Sequence, residues 1–129
     1  MVARTLGDSP MKYMLAIFED EANYPGGEDG EAWRAVIAKH MAFGGALVQA
    51  GVEFSGAGLH LSHSATSVRT GADGAQAVHD GPYAETKELL GGFYVIDVAS
   101  LDEAIAWAKQ VPLGAHGAVE VRPVLGMPG

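Results

Sequence analysis

The chain has 129 residues, of which 48% are hydrophobic and 19% are charged, and this composition fits one folded domain with a substantial core. Its formal net charge of −8 and its scattered basic residues argue against binding to the phosphate backbone of nucleic acids. The absence of cysteine excludes disulfides, thiolate nucleophiles and cysteine-ligated metals. The longest apolar run is too short to span a membrane, and residues 1–10 lack a signal-peptide core, so we expect a cytoplasmic protein without membrane contact.

The first part of the chain predicts a strand followed by a long helix. Residues 1–10 are expected to form a flexible leader. Residues 11–18 (MKYMLAIF) are typical of a strand with two apolar faces, both of which should be buried. Residues 19–30 are acidic and contain glycine and proline, as loops do. Residues 31–50 carry apolar side chains at helical spacing, and Gly51 fits the end of this helix.

The middle of the chain is rich in turns. Residues 52–63 are extended but ambiguous, because two glycines interrupt them. Residues 65–69 and 75–79 flank a Gly-Ala-Asp-Gly sequence at 71–74, which predicts a β-hairpin. The Asp-Gly-Pro sequence at 80–82 predicts a second turn directly after the hairpin.

The last part of the chain predicts a strand, a helix and a final strand. Residues 84–90 are polar and suggest a short helical turn, whereas residues 91–98 form a strong strand pattern with two apolar faces. Ser100 and Glu103 match a capping box, which predicts a helix to about Val111. Residues 118–124 predict the last strand, and residues 126–129 a tail. The helix is expected to bury Leu101, Ala104, Ile105 and Ala108.

This order of elements predicts one α+β domain over residues 11–125. It suits a ferredoxin-like sandwich, in which two helices cover one face of an antiparallel sheet. The strands at 11–18 and 91–98 are apolar on both faces, so something else must cover the second face of the sheet. A second copy of the chain is the simplest cover, and we therefore expect a homodimer.

His40 is the most informative polar residue, because it lies at the centre of the apolar stripe of the first helix. At about 100° per residue, Trp33 and Leu47 lie about 20° to either side of it. One interpretation is a core histidine whose ring nitrogens are satisfied by hydrogen bonds. The other is a general acid or base with a pKa near neutrality. Asp80 is either a plain turn residue or a carboxylate that orients His40.

Other candidate residues follow the second turn. Tyr83, Thr86 and Lys87 belong to a polar cluster that is either solvated surface or part of a ligand site. Lys87 and Arg122 are the cations nearest to the predicted site and are candidates for holding an anionic substrate. The His-Leu-Ser-His sequence at 60–63 is a poor metal site, because residues three apart on a strand face opposite sides. We expect no metal and no cofactor, since nucleotide-binding motifs are also absent.

The run DGPYAETKELLGGFYVID at residues 80–97, with the strands and helix around it, resembles a DGPF-type member of the YCII-related family. The sequence departs from the DGPF motif at Tyr83, where the motif has phenylalanine. The resemblance implies a dimeric α/β barrel with a small cavity and a His–Asp pair, which would be His40 and Asp80 here. Some relatives act as dehydrochlorinases, and DGPF members are often encoded beside extracytoplasmic-function sigma factors.

Two hypotheses therefore stand. In the first, the protein is a cofactor-free lyase or isomerase: His40 moves a proton, Asp80 orients it, and Lys87 or Arg122 holds an anionic oxygen. In the second, it is a non-catalytic dimer that senses a small molecule in sigma-factor signalling. A closed, polar-lined cavity with His40 facing the void would favour the first, and a filled cavity with His40 bonded only to backbone would favour the second.

Overall fold

A computed structural model describes residues 11–126. The predicted leader and all but the first residue of the predicted tail lie outside the described residues. Short 3₁₀ turns span Glu21–Asn23, Gly27–Asp29 and Ser62–Ser64. In chain order, the strands and helices are β1 (Met11–Asp20), α1 (Glu31–Gln49), β2 (Phe54–Gly58), β3 (Thr66–Thr70), β4 (Gln76–Asp80), β5 (Glu88–Val98), α2 (Leu101–Ala108) and β6 (Ala118–Pro123).

The main sheet has the strand order β2-β5-β1-β6, and each neighbouring pair is antiparallel. The connection through α1 leads from β1 past β5 to β2, and the connection through α2 leads from β5 past β1 to β6. The hairpin of β3 and β4 forms a separate two-stranded sheet. The prediction of an α+β domain with an antiparallel sheet is confirmed, and the arrangement is consistent with a ferredoxin-like fold.

The core lies between the two helices and one face of the main sheet. Leu15 of β1, Leu47 of α1 and Ile96 of β5 are fully buried. Ala104 of α2 belongs to the same cluster, so both helices pack on one face. The ring of Phe43 makes edge-to-face contacts with Tyr94 and Trp107. The full cluster of buried core residues is Tyr13, Leu15, Ile17, Phe43, Leu47, Ile96, Val98, Ala104 and Val111.

The opposite face of the sheet is also apolar at its centre. The register pairs Met14 with Val95 and Ala16 with Phe93, and these residues alternate with the core residues of β1 and β5. Ala16 is buried, whereas Met14, Phe93 and Val95 are only partly buried. We call this surface, together with Phe18, the open face. Within the described residues, no helix is long and apolar enough to cross a lipid bilayer.

The second helix begins as predicted. Ser100 Oγ accepts a hydrogen bond from the Glu103 N–H at 3.2 Å, and the Glu103 carboxylate accepts one from the Ala99 N–H at 3.1 Å. The helix ends at Ala108 rather than near Val111. The prediction that Leu101 and Ile105 are buried is wrong: they are 48% and 37% exposed. The helix turns Ala104 and Trp107 toward the core, which leaves these two side chains on its outer side.

The prediction of a helical turn within residues 84–90 is also wrong. β1 continues past Phe18 to Asp20 across an irregularity in the pairing between Ile17 and Phe18. This extension offers hydrogen-bond partners to β5, which begins at Glu88, paired with Asp20. Partners in the sheet outweigh the weak local preference of these polar residues.

Candidate functional site

A cavity of about 570 Å³ lies between the N-terminal half of α1 and the sheet. The C-terminal half of α1 is held on the sheet by Phe43 and Leu47, which are both buried. Farther along the sheet, the strands contribute several glycines, which have no side chains to fill the space below the helix. Much of the wall is apolar and includes Ile17, Trp33, Val36, Ile37, Leu59 and Leu89. The resulting space is lined mainly by apolar side chains, with a few polar groups among them.

His40 lies in the wall of this cavity and is half-buried. Its Nδ1 atom is 2.8 Å from the hydroxyl oxygen of Tyr94, a residue of β5 that also lines the cavity. The two rings are nearly parallel, with centroids 5.9 Å apart. Phe43 packs edge-to-face against Tyr94 at 5.0 Å, and a Cβ atom at Gly56 would clash with the Phe93 carbonyl oxygen and crowd the Tyr94 ring. The missing side chain at Gly56 therefore helps to position Tyr94 beside His40.

The electrostatic surroundings favour the uncharged forms of both rings. Burial lowers the pKa of His40, and a hydrogen bond to the Pro112 backbone opposes this effect in part. Burial raises the pKa of Tyr94. A neutral imidazole carries one proton, so Nδ1 accepts a hydrogen bond from the Tyr94 hydroxyl in one tautomer and donates one to its oxygen in the other. In the first tautomer His40 is the base of the pair.

Glu19 is a buried acid in the same cavity, with only 8% of its surface exposed. Its Oε1 atom accepts a hydrogen bond from the Gly114 N–H at 2.8 Å. Burial raises the pKa of Glu19, and the bond from Gly114 lowers it by a smaller amount. The sequence prediction placed Glu19 in a loop, but β1 extends through it. Glu19 lies two residues after Ile17, and side chains alternate along a strand, so this spacing could have placed Glu19 on the core face of the sheet.

The mouth of the cavity is formed by the segment after β2 and the acidic loop after β1. Glu28 Oε1 lies 2.7 Å from His60 Nδ1, and Glu28 Oε2 accepts from the Leu61 N–H at 3.0 Å. Glu21 accepts hydrogen bonds from the N–H and the hydroxyl of Ser62 at 2.8 and 2.6 Å. The hydrogen bonds from Leu61 and His60 lower the pKa of Glu28. Two carboxylates of the acidic loop thus hold this segment in place beside the cavity.

Of the predicted catalytic pair, only His40 lies in the cavity wall. Asp80 is exposed at the end of β4 and lies outside the lining of this cavity. Gly81 follows it with a φ of 103° and donates its N–H to the Ala65 carbonyl across the hairpin, and the chain bends at Gly81 and again at Tyr83. The partner of His40 Nδ1 within the chain is the Tyr94 hydroxyl. Contact between His40 and Asp80 stays a prediction, with Asp80 supplied by either copy of a dimer.

The predicted ligand-binding residues also lie outside this lining. Tyr83 is 72% exposed, with the Arg69 guanidinium 5.3 Å from its ring centroid. The Thr86 hydroxyl donates a hydrogen bond to the Glu88 carbonyl, and Lys87 is exposed.

Arg122 is exposed on β6 and forms two hydrogen bonds to Glu120 at 2.9 and 3.0 Å. Its register partner Met14 places Arg122 on the open face, opposite the cavity. Among the described residues, no group of three His, Asp or Glu side chains is arranged to hold a metal ion. The sequence analysis missed Tyr94 and Glu19 as site residues. The alternation of side chains along β5 and β1 places both on the face of the sheet that carries the core, and this pattern could have identified them.

Comparison with known proteins agrees with the resemblance of the sequence. The YCII-related domain matches residues 11–128, which include every strand and helix of the structure. An uncharacterized protein of Rhizobium meliloti (strain 1021) is 38% identical over 119 residues, which covers 88% of this chain and 92% of that protein. Both the match and the antiparallel α+β fold extend over the part of the chain that carries His40, Tyr94 and Glu19. The chain therefore belongs to the YCII-related family.

Proposed function

We propose that the protein binds a small, largely apolar molecule in its cavity and exchanges a proton with it through Tyr94 and His40, without a cofactor. The observation that carries this proposal is the 2.8 Å hydrogen bond between His40 Nδ1 and the Tyr94 hydroxyl in the wall of the cavity. A general base must be neutral at working pH to accept a proton. The lowered pKa of His40 meets this requirement.

The pair can act as a proton relay. A proton leaves a carbon of the bound molecule and forms a new O–H bond at Tyr94, while the original Tyr94 proton moves to His40 Nδ1. The electron pair of the broken C–H bond stays on the substrate as an enolate or carbanion. Return of the proton to a different carbon completes an isomerisation. Departure of a leaving group, such as chloride, with the electron pair of its bond completes an elimination, and His40 then releases the proton to water. Tyr94 contacts the substrate in this scheme, and His40 stores the proton.

The second part of the proposal is a DGPF-type homodimer in which two open faces form an α/β barrel. Met14, Phe18, Phe93 and Val95 are apolar but only partly buried, and a second sheet would remove them from water. An obligate interface of this kind buries more than about 2,000 Å² in total. Light scattering at micromolar concentration should give twice the mass of one chain. A monomeric mass would contradict the dimer.

The alternative is a ligand-sensing protein without catalysis, linked to extracytoplasmic-function sigma-factor signalling. The observation that favours it is that both sides of the His40 ring have protein partners, Tyr94 and the Pro112 backbone, as in a satisfied core histidine. A cavity with a largely apolar wall suits binding as well as chemistry. The two functions therefore differ in whether the bound molecule leaves the protein unchanged.

Measuring turnover by the wild type and by matched variants distinguishes the catalytic function from the sensing function. Compounds that raise the melting temperature would be incubated with the wild-type protein and with His40→Gln, Tyr94→Phe and Asp80→Asn variants. We expect conversion by the wild type and loss of conversion in the first two, with binding retained, because both variants keep the walls of the cavity. If Asp80 orients His40 in the dimer, Asp80→Asn lowers the rate by less than His40→Gln. Ligands that bind but are never converted would support the sensor.

A further inference from the structure

Apart from two tyrosines, the ionisable side chains of the cavity are those of glutamate and histidine. Glu19, Glu21 and Glu28 line it together with His40 and His60, and among the described residues no lysine or arginine does so. Glu21 is engaged by Ser62 through both oxygens, and Glu28 by His60 and Leu61. Glu19 is different: the Gly114 N–H is the one hydrogen-bond donor that it has among the described residues. A carboxylate has about four acceptor positions, so most of its capacity is unused.

Tyr24 contributes an aromatic ring to this cavity. It is 6% exposed, and its ring packs edge-to-face on Trp33, with centroids 5.4 Å apart. Both residues line the cavity. The Tyr24 hydroxyl oxygen is fully buried and has no hydrogen bond to any described residue, so a molecule in the cavity can contact the ring but not the hydroxyl.

We propose that the molecule bound in this cavity is an organic cation, a protonated amine with a flat apolar body, whose nitrogen is held by the Glu19 carboxylate. This assignment rests on the proposed binding function of the cavity and adds the charge of its ligand. It replaces the anionic substrate expected from the sequence, because Lys87 and Arg122 lie outside the cavity lining.

Charge and shape both support a cation. A buried carboxylate is costly unless a positive charge accompanies it, and an ammonium group supplies that charge together with up to three hydrogen-bond donors. The faces of Trp33, Tyr24 and Tyr94 also attract cations, since aromatic rings carry negative charge above and below their plane. The raised pKa of Glu19 would fall on binding, because a nearby positive charge favours the ionised carboxylate.

Three probes with one ring system test the charge preference. Naphthylmethylamine, naphthylmethanol and naphthoate would be titrated at neutral pH into the full-length protein, with binding followed by the amide NMR signals of Gly91, Gly92 and Gly114. We expect the amine to bind more tightly than the alcohol, and the acid most weakly. Glu19→Gln should weaken amine binding about tenfold or more, as expected for loss of a charged hydrogen bond. The same variant should change the affinity for the alcohol by less than about twofold, because a Gln side chain matches Glu in size.

The control variant is Glu53→Gln, which removes one negative charge from an exposed residue outside the cavity and should leave all three affinities unchanged. Equal amine binding by wild type and Glu19→Gln would overturn the proposal, and so would naphthoate binding as tightly as the amine. The wild-type comparison of the three probes decides the charge preference even if Glu19→Gln fails to fold. Binding of the alcohol without preference for the amine would overturn the charge assignment alone. Absence of binding by all three probes would refute the proposed binding function as well.

Discussion

The hydrogen bond between His40 and Tyr94 can be measured directly by a double-mutant cycle. His40→Leu and Tyr94→Phe each remove one partner, and Tyr94→Phe keeps the ring that packs on Phe43. A 2.8 Å bond between two uncharged, half-buried groups should contribute a coupling free energy of about 0.5–1.5 kcal/mol. Urea unfolding of the wild type, the two single variants and the double variant gives this coupling. A coupling below about 0.3 kcal/mol, the usual error of additivity, would refute the proposed pair.

The pH dependence of the same cycle follows from the lowered pKa of His40. In the unfolded chain the ring titrates near its ordinary value of 6.5, and in the folded protein it titrates lower. The unfolded state therefore binds more protons between these two values. The stability that the neutral ring contributes is complete above pH 6.5 and is lost as the pH falls from 6.5 toward the folded pKa. The stability difference between wild type and His40→Leu should shrink on acidification. Glu19 titrates with the opposite sign but is present in both proteins, so its effect cancels. A difference that grows at acidic pH would contradict the assigned shift.

Three further substitutions test the local structure by chemical denaturation. Ser100→Ala should lower the unfolding free energy by about 1 kcal/mol, because the Glu103 N–H loses its cap, and an unchanged midpoint would contradict the observed helix start. Leu47→Ala should cost about 2–5 kcal/mol, since the side chain is fully buried in the core, and a cost below that of Ser100→Ala would argue against this packing. Gly56→Ala should cost about 1–3 kcal/mol through crowding and should shift the NMR signals of Tyr94. Unchanged Tyr94 signals would mean that Gly56 does not position this ring.

The elements that could be predicted from the sequence are those that depend on local rules. β1 and β5 contain mostly apolar stretches, α1 carries apolar side chains at helical spacing, the hairpin turn is defined by its glycines, and the start of α2 is defined by the side chain of Ser100. Each of these signals lies within one continuous segment, where sequence patterns determine structure well. The α+β class and the two helices follow from these elements.

The incorrect predictions depend on tertiary contacts. Glu19 belongs to a strand because β5 pairs with it through Leu89, and the segment before Gly91 is a strand for the same reason. Leu101 and Ile105 are exposed because the position of α2 on the sheet selects Ala104 and Trp107 as its inner side. Helical spacing marks an apolar side of a helix, but only packing decides which of its members touch the core.

His40 shows how far a pattern leads toward a site. The helical spacing correctly places its ring toward the sheet, but the residue opposite is 54 positions away and is selected by the packing of α1 across the sheet. The same spacing would describe a histidine packed into a filled core. What separates the two here is the space beside the ring, and that space exists because glycines occupy the facing strand positions and because Phe43 and Leu47 hold α1 farther along the sheet. A histidine that only stabilises the fold would need neither the space nor the buried acid, Glu19, that shares it.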